Sequence, residues 1–256
     1  MKKVTLLCGM LLALTASIAS AGSGVNLRWN ACFGDGGAIN RAFACNSNAG
    51  SNLAVGSFEL GTTLLQTSGN EIVVDLASAT ATLPAWWGYK NVGTCRQLAA
   101  AMNGIIAASA VNCQDWSGGQ ASGGIGAYNI GARGPNTSRV VAALAVPAAA
   151  LADLFPAQEY FSFNFTFNNT KTVGTGACAG CNVGICLVFN SVKLTTPPVV
   201  GQPSRDITLT GPTNGTDSDF CTWQGPVAPV VQGVVGCGQA TPTRNATWSS
   251  VKALYR

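Results

Sequence analysis

The stretch Tyr160-Phe161-Ser162-Phe163-Asn164-Phe165-Thr166-Phe167 decides the fold class. Four phenylalanines alternate with Ser162, Asn164 and Thr166, and a period of two puts the rings on one face of a β-strand and the polar groups on the other. The same alternation recurs along the chain. Val25, Leu27 and Trp29 alternate with Asn26 and Arg28, and Ile72, Val74 and Leu76 with Glu71, Val73 and Asp75. Val140, Ala142, Leu144 and Val146 give another strand, and Cys186 to Leu194, Ile207 with Leu209, and Leu53 to Leu60 give three more. Helical signal is sparse. Thr94 caps an expected short helix over 95–103, Pro147 opens a turn or two through Phe155, and Trp248, Val251, Leu254 and Tyr255 share a face of an expected helix at 247–256. Segments 118–134, 197–203 and 210–215 are rich in Gly, Pro or Thr and read as loops. Many short strands with such connections imply an all-β chain, an antiparallel β-sandwich of jelly-roll or Ig-like type with a few short helices and disulfide-stapled loops.

The first 21 residues read as an address. Lys2 and Lys3 precede an apolar run from Val4 to Ile18, and Ala19-Ser20-Ala21 is a small-residue cleavage signal. The run is shorter than a membrane span needs, and no later stretch reaches that length. The expectation is a signal peptide over 1–21 and a single secreted or periplasmic domain over 22–256. Charged residues make up 9% of the chain, against a usual ~25%. The net charge of +4 is spread out, which argues against nucleic acid as a partner. With no histidine, a Ser-His-Asp or Cys-His engine and a His-ligated metal are excluded.

Secretion makes disulfides the default state of the nine cysteines that follow the leader: Cys32, Cys45, Cys95, Cys113, Cys178, Cys181, Cys186, Cys221 and Cys237. Their spacing suggests local pairs, Cys32 with Cys45, Cys95 with Cys113, and Cys221 with Cys237. Cys178-Ala179-Gly180-Cys181 followed by Cys186 reads as a structural hairpin clip. A redox pair belongs at a helix N-terminus, which the Gly-Thr-Gly and β-like flanks do not provide, and a thiolate metal site would need a fourth cysteine. An odd count of nine leaves one thiol over, or one bond between chains.

Three groups are candidate sites. Trp86, Trp87 and Tyr89 follow Pro84, and on a surface they would stack on sugar rings; buried, they are core. Asn214, Asp217 and Asp219 offer hard oxygen ligands, which makes calcium the one cofactor the sequence suggests, against the alternative of an Asx-capped turn. Asp115-Trp116 before Ser117-Gly118-Gly119 reads as a Trp pinning a Gly loop rather than a binding loop. Without histidine, catalysis would fall to a carboxylate pair. Glu71 and Asp75 share a strand face but lie ~13 Å apart by strand rise, too wide for glycoside hydrolysis. Glu59 and Glu159 could pair only through the fold.

The stretches Trp86-Trp87-Gly88-Tyr89 with Cys95-Arg96, Gly174-Thr175-Gly176-Ala177-Cys178-Ala179-Gly180-Cys181, and Trp248-Ser249-Ser250-Val251-Lys252-Ala253-Leu254-Tyr255-Arg256 together resemble uncharacterised secreted proteins of environmental bacteria. The resemblance implies a secreted bacterial β-protein and supplies no activity and no site residues. The expected function is therefore a non-catalytic structural, adhesive or self-associating surface protein whose partner is itself or a cell-surface glycan. A carbohydrate-binding module using Trp86, Trp87 and Tyr89 is the alternative, and an extracellular hydrolase a second one.

Overall fold

A computed structural model describes residues 22–107 and 110–225. The expected signal peptide, the helix at 247–256 and Cys237 lie outside the described residues. Thirteen strands are described: β1 (Gly24–Trp29), β2 (Asn40–Arg41), β3 (Ser51–Glu59), β4 (Leu64–Thr67), β5 (Gly69–Ser78), β6 (Ala100–Asn103), β7 (Ser122–Ile130), β8 (Thr137–Ala145), β9 (Ala152–Leu154), β10 (Glu159–Asn168), β11 (Ile185–Thr195), β12 (Ile207–Leu209) and β13 (Phe220–Trp223). A four-stranded sheet runs β1-β3-β10-β6, and a larger one runs β2-β13-β11-β5-β8-β7 with β12 beside β11. β4 and β9 form a separate ribbon. Every pairing is antiparallel except β13 with β2. The chain is an all-β sandwich. Its core lies between Val25, Leu27, Phe58, Phe163 and Phe165 of the smaller sheet and Ile72, Val74, Val140, Leu187 and Phe189 of the larger.

The decisive strand departs from simple alternation at one point. A bulge between Phe161 and Phe163 shifts the register against β3. Phe163, Phe165 and Phe167 enter the main core, whereas Phe161 turns to the outer face and packs with Cys32, Val55 and Cys113. An extra residue in one strand reverses which face the following side chains take. Gly56 makes room for the ring of Phe163, which would meet any Cβ there. Both faces of β10 are thus covered, and the half-buried strand expected from the sequence is an almost wholly buried one.

Two segments adopt strands where the sequence suggested otherwise. The segment 95–103 is not a helix. Thr94 Oγ1 donates backwards to the Asn91 carbonyl at 2.6 Å and closes a turn, and Ala100–Asn103 pairs with β10 as a strand. Packing outweighs the helical preference of Ala99, Ala100, Ala101 and Met102. The Gly-rich segment contains β7. At Gly123 (φ +142°) a Cβ would collide with the Ala143 carbonyl, and at Gly124 a Cβ would lie 3.2 Å from the Met102 carbonyl. The glycines let β7 pass between two neighbouring backbones, a role open to residues without side chains. Around Pro147 a 3-10 turn at Ala148–Ala150 leads into β9.

The disulfides join distant segments: Cys32–Cys113, Cys45–Cys181 and Cys95–Cys178, with sequence separations of 81, 136 and 83. The local pairs Cys32–Cys45 and Cys95–Cys113 do not form, because the fold sets Cys32 beside Cys113 and Cys95 beside Cys178, each with Cα atoms 6.0 Å apart. Cys178 and Cys181 fan out from a tight turn at Gly180 (φ +98°) to different partners, so they are neither a clip on each other nor a redox pair. A Cβ at Gly180 would strike Pro84, which couples this turn to the one carrying the tryptophans. Cys186 on β11 is also disulfide-bonded, and Cys221 is buried on β13. Three such bridges suit an oxidising compartment, extracellular or periplasmic. No helix among the described residues is long and apolar enough to cross a membrane.

Candidate functional site

Trp86, Trp87 and Tyr89 are fully buried, each at 0% exposure. A sugar platform built on them is therefore corrected to core. On a strand, neighbours 86 and 87 would face opposite ways, but the 3-10 turn Ala85–Trp87 directs both inwards. Trp86 stacks on Trp223 with ring centroids 5.3 Å apart, Trp87 lies 5.3 Å from Phe167, and Tyr89 stacks on Phe167 at 5.9 Å. Trp86 Nε1 donates to Thr172 Oγ1 at 3.0 Å. Phe155 is the one ring among the described residues that is mostly exposed.

The loop carrying Asn214, Asp217 and Asp219 adopts the Asx-capped turn that was the alternative to a calcium site. Asn214 Oδ1 accepts from the backbone N–H groups of Thr216, Asp217 and Ser218, and its amide donates to Asp217 Oδ1 at 2.8 Å. Asp217 also faces Arg28 at 3.6 Å. Arg28 is buried and donates to the carbonyls of Leu27, Asp217, Ser218 and Phe220, which ties the loop to β1. Asp219 is buried beneath it, and desolvation pushes its carboxyl up to about 6 despite the nearby Arg28. Asn214 Oδ1 and Asp217 Oδ1 are thus engaged by the turn and by Arg28.

The fold brings Glu59 and Glu159 opposite each other on β3 and β10. Glu159 is buried and accepts from Asn26 Nδ2 at 3.3 Å, Phe33 N at 3.0 Å, Gly34 N at 2.7 Å and Ser57 Oγ. Burial, and then the charge of Glu159, pushes the Glu59 carboxyl up. With both its oxygens engaged by four donors, Glu159 anchors the loop that carries Cys32. Cys32 and Cys113 lie near it, and their sulfurs are bonded to each other rather than available to a metal. Asp115 is likewise structural: it accepts from Ser117 N, Ser117 Oγ and Gly119 N, while Trp116 is buried and pins the loop.

Two surface features remain. The first is a small depression on the outer face of the smaller sheet, with an enclosed space of about 20 Å³, beside the Cys32–Cys113 bridge. Val55, Phe161, Ile106 and the disulfide make its walls, and Asp35 and Asn164 line it. Sequence reading placed Asn164 on a polar strand face, but nothing in the sequence signals that Asp35 meets it. The second is the outer face of the larger sheet. Ala127, Val141, Ala143 and Ala145 lie there in register across β7 and β8, the last three exposed. The charges around them are neutralised in place. Asp75 holds Arg139 at 2.7 and 2.8 Å, Arg133 at 3.3 Å and Asn190 at 2.9 Å. Lys193 bridges Asp206 at 3.1 Å and Glu71 at 3.7 Å.

No family model matches the chain, and no curated protein is similar to it. Among solved structures, the C-terminal domain of the Streptococcus pyogenes antigen I/II-family protein AspA aligns at 13% identity over 74% of this chain and 46% of its own, with a TM-score of 0.22. The alignment spans less than half of that chain, and the superposition is too loose to equate the two folds.

Proposed function

We propose that this chain is a secreted, non-catalytic structural protein that associates with copies of itself through the outer face of its larger sheet. The observation that carries the reading is the small-residue patch of Ala127, Val141, Ala143 and Ala145 beside the end strand β7. The segment 116–132 holds no charged residue, whereas edge strands are commonly guarded by charges. Because the surrounding carboxylates already have cationic partners, two such faces can meet without stranding a charge. The bulge between Ile125 and Ala127 twists the edge, which favours face-to-face contact over extension of the sheet.

Sedimentation velocity over a wide concentration range tests the reading. Association should appear with rising concentration and vanish in Val141→Lys, whose side chain would stand in the middle of the patch. A monomer at every concentration would overturn it. Burial of Trp86, Trp87 and Tyr89 removes the support for the glycan-binding alternative among the described residues.

A further inference from the structure

Two oxygen atoms bordering the depression on the smaller sheet are buried and have no hydrogen-bond partner: Asp35 Oδ2 and Asn164 Oδ1. Their orientations are fixed by their other atoms. Asp35 Oδ1 accepts from Val111 N at 3.1 Å and Asn112 N at 2.8 Å. Asn164 is only 9% exposed, and its amide nitrogen donates to the Ile105 carbonyl at 2.5 Å. The reverse orientation would set oxygen against oxygen, so the free acceptor is the one turned away from Ile105. Buried polar atoms in folded proteins nearly always have partners, and two orphans in one depression point to a missing donor.

The walls specify the donor further. One acceptor belongs to a carboxylate, which favours a cation. Desolvation pushes the Asp35 carboxyl up, but backbone N–H groups of Asn112, Val111 and Cys113 outweigh it and hold the carboxyl below its ordinary range, hence ionised at neutral pH. The remaining walls are mostly apolar, with Val55, Ile106, Phe161 and Cys32 prominent, and Asn30 adds one further polar side chain. A bare metal ion would want several more oxygens and would gain nothing from them. A primary ammonium on a methylene chain matches both halves. Its N–H groups can donate to both oxygens, while its methylenes leave over the apolar rim. Its enclosed space of about 20 Å³ is close to what one water molecule needs, so it admits the ammonium head group alone.

We propose that Asp35 and Asn164 form a binding site for a primary alkylammonium group, presented either by a soluble amine or by a lysine side chain of another protein. The site lies on the opposite sheet from the self-association patch and stands independently of it.

The test is titration of isotope-labelled protein, followed by the amide signals of Val111 and Asn112 and the side-chain amide of Asn164. n-Butylammonium is the primary probe, with potassium and tetramethylammonium as controls that carry charge but no N–H donor. Millimolar n-butylammonium should shift all three signals, and the controls should not. Asp35→Asn keeps the acceptor that holds Val111 and Asn112 and should weaken binding at least tenfold. Asn164→Leu removes the second acceptor at nearly constant size and should weaken binding several-fold. Cadaverine binding more tightly than Nα-acetyl-lysinamide would support the site and indicate a soluble amine; the reverse would support it and indicate a protein lysine. No shift with n-butylammonium, or equal shifts with tetramethylammonium, would overturn the assignment.

Discussion

The guanidinium carbon of Arg96 lies 3.5 Å from the ring centroid of Trp86, deep in the core, with Tyr89 at 5.3 Å on the same cation. Arg96 also donates to the carbonyls of Trp86, at 2.8 Å, and Asn168. A desolvated cation over an aromatic face contributes about 2 kcal/mol, and each hydrogen bond from a charged donor about 1.5–3 kcal/mol. Lysine offers neither the planar stack nor the fork. Arg96→Lys should therefore lower stability by about 2–4 kcal/mol in urea unfolding followed by tryptophan fluorescence. A loss within about 0.5 kcal/mol would show that the stack contributes little.

Asp219 gives the protein a pH dependence opposite in sign to that of an ion-paired carboxylate. Its carboxyl is pushed up to about 6 in the folded chain, against 3.8 for a free aspartate side chain, because burial disfavours its charge. The folded state holds the proton more tightly, so this contribution is fully present below about pH 4 and is lost as pH rises through about 6. A shift of this size corresponds to about 3 kcal/mol. Asp219→Asn keeps the shape without the charge. The difference in Tm between Asp219→Asn and wild type should widen in favour of the variant from pH 4 to pH 7. Parallel curves would show that Asp219 does not titrate in this window.

Glu159 holds Phe33, Gly34, Asn26 and Ser57 together through its two oxygens. Glu159→Gln turns an amide N–H toward groups that are already donors. Leaving one or two buried donors unpaired costs about 1–3 kcal/mol each. Hydrogen exchange at Phe33 and Gly34 should accelerate at least tenfold, while exchange in β5 and β8 changes only with global stability. Uniform acceleration across both sheets would mean that the loop has no separate anchor.

Peptide mapping under non-reducing conditions should recover Cys32–Cys113, Cys45–Cys181 and Cys95–Cys178. Replacing Cys95 and Cys178 together by alanine opens a loop of 83 residues and should cost about 4–5 kcal/mol on the chain-entropy account. Recovery of Cys32–Cys45 would contradict this connectivity.

The fold class was legible because alternation survives in β1, β3, β5, β8, β10 and β11, where one face meets the core. It failed where backbone contacts set the outcome. Nothing in the glycines of β7 reveals that β6 and β8 crowd them, and Thr94 carries a helix-cap signature that its turn consumes. The phenylalanine run announces its strand but not the bulge that sends Phe161 outward. Asp35 and Asn164, more than a hundred residues apart in sequence, come to line one depression, and no local pattern encodes that. The aromatic stretch was visible as a cluster, and only the 3-10 turn decided that it faces in.

The disulfide connectivity bears on how the chain can be made. A polypeptide delivered N-terminus first exposes Cys32, Cys45 and Cys95 before any of their partners, and each partner arrives 81 to 136 residues later. Oxidation in order of appearance joins Cys32 to Cys45 and leaves Cys95 to Cys113, the two pairings that the finished sandwich rejects. Reaching the native pattern then requires those early bonds to be broken and exchanged, a process that takes minutes to hours without a catalyst. The protein's yield in its home compartment is accordingly tied to the host's capacity to reshuffle thiols, and a strongly oxidising, isomerase-poor expression host should accumulate it in scrambled form.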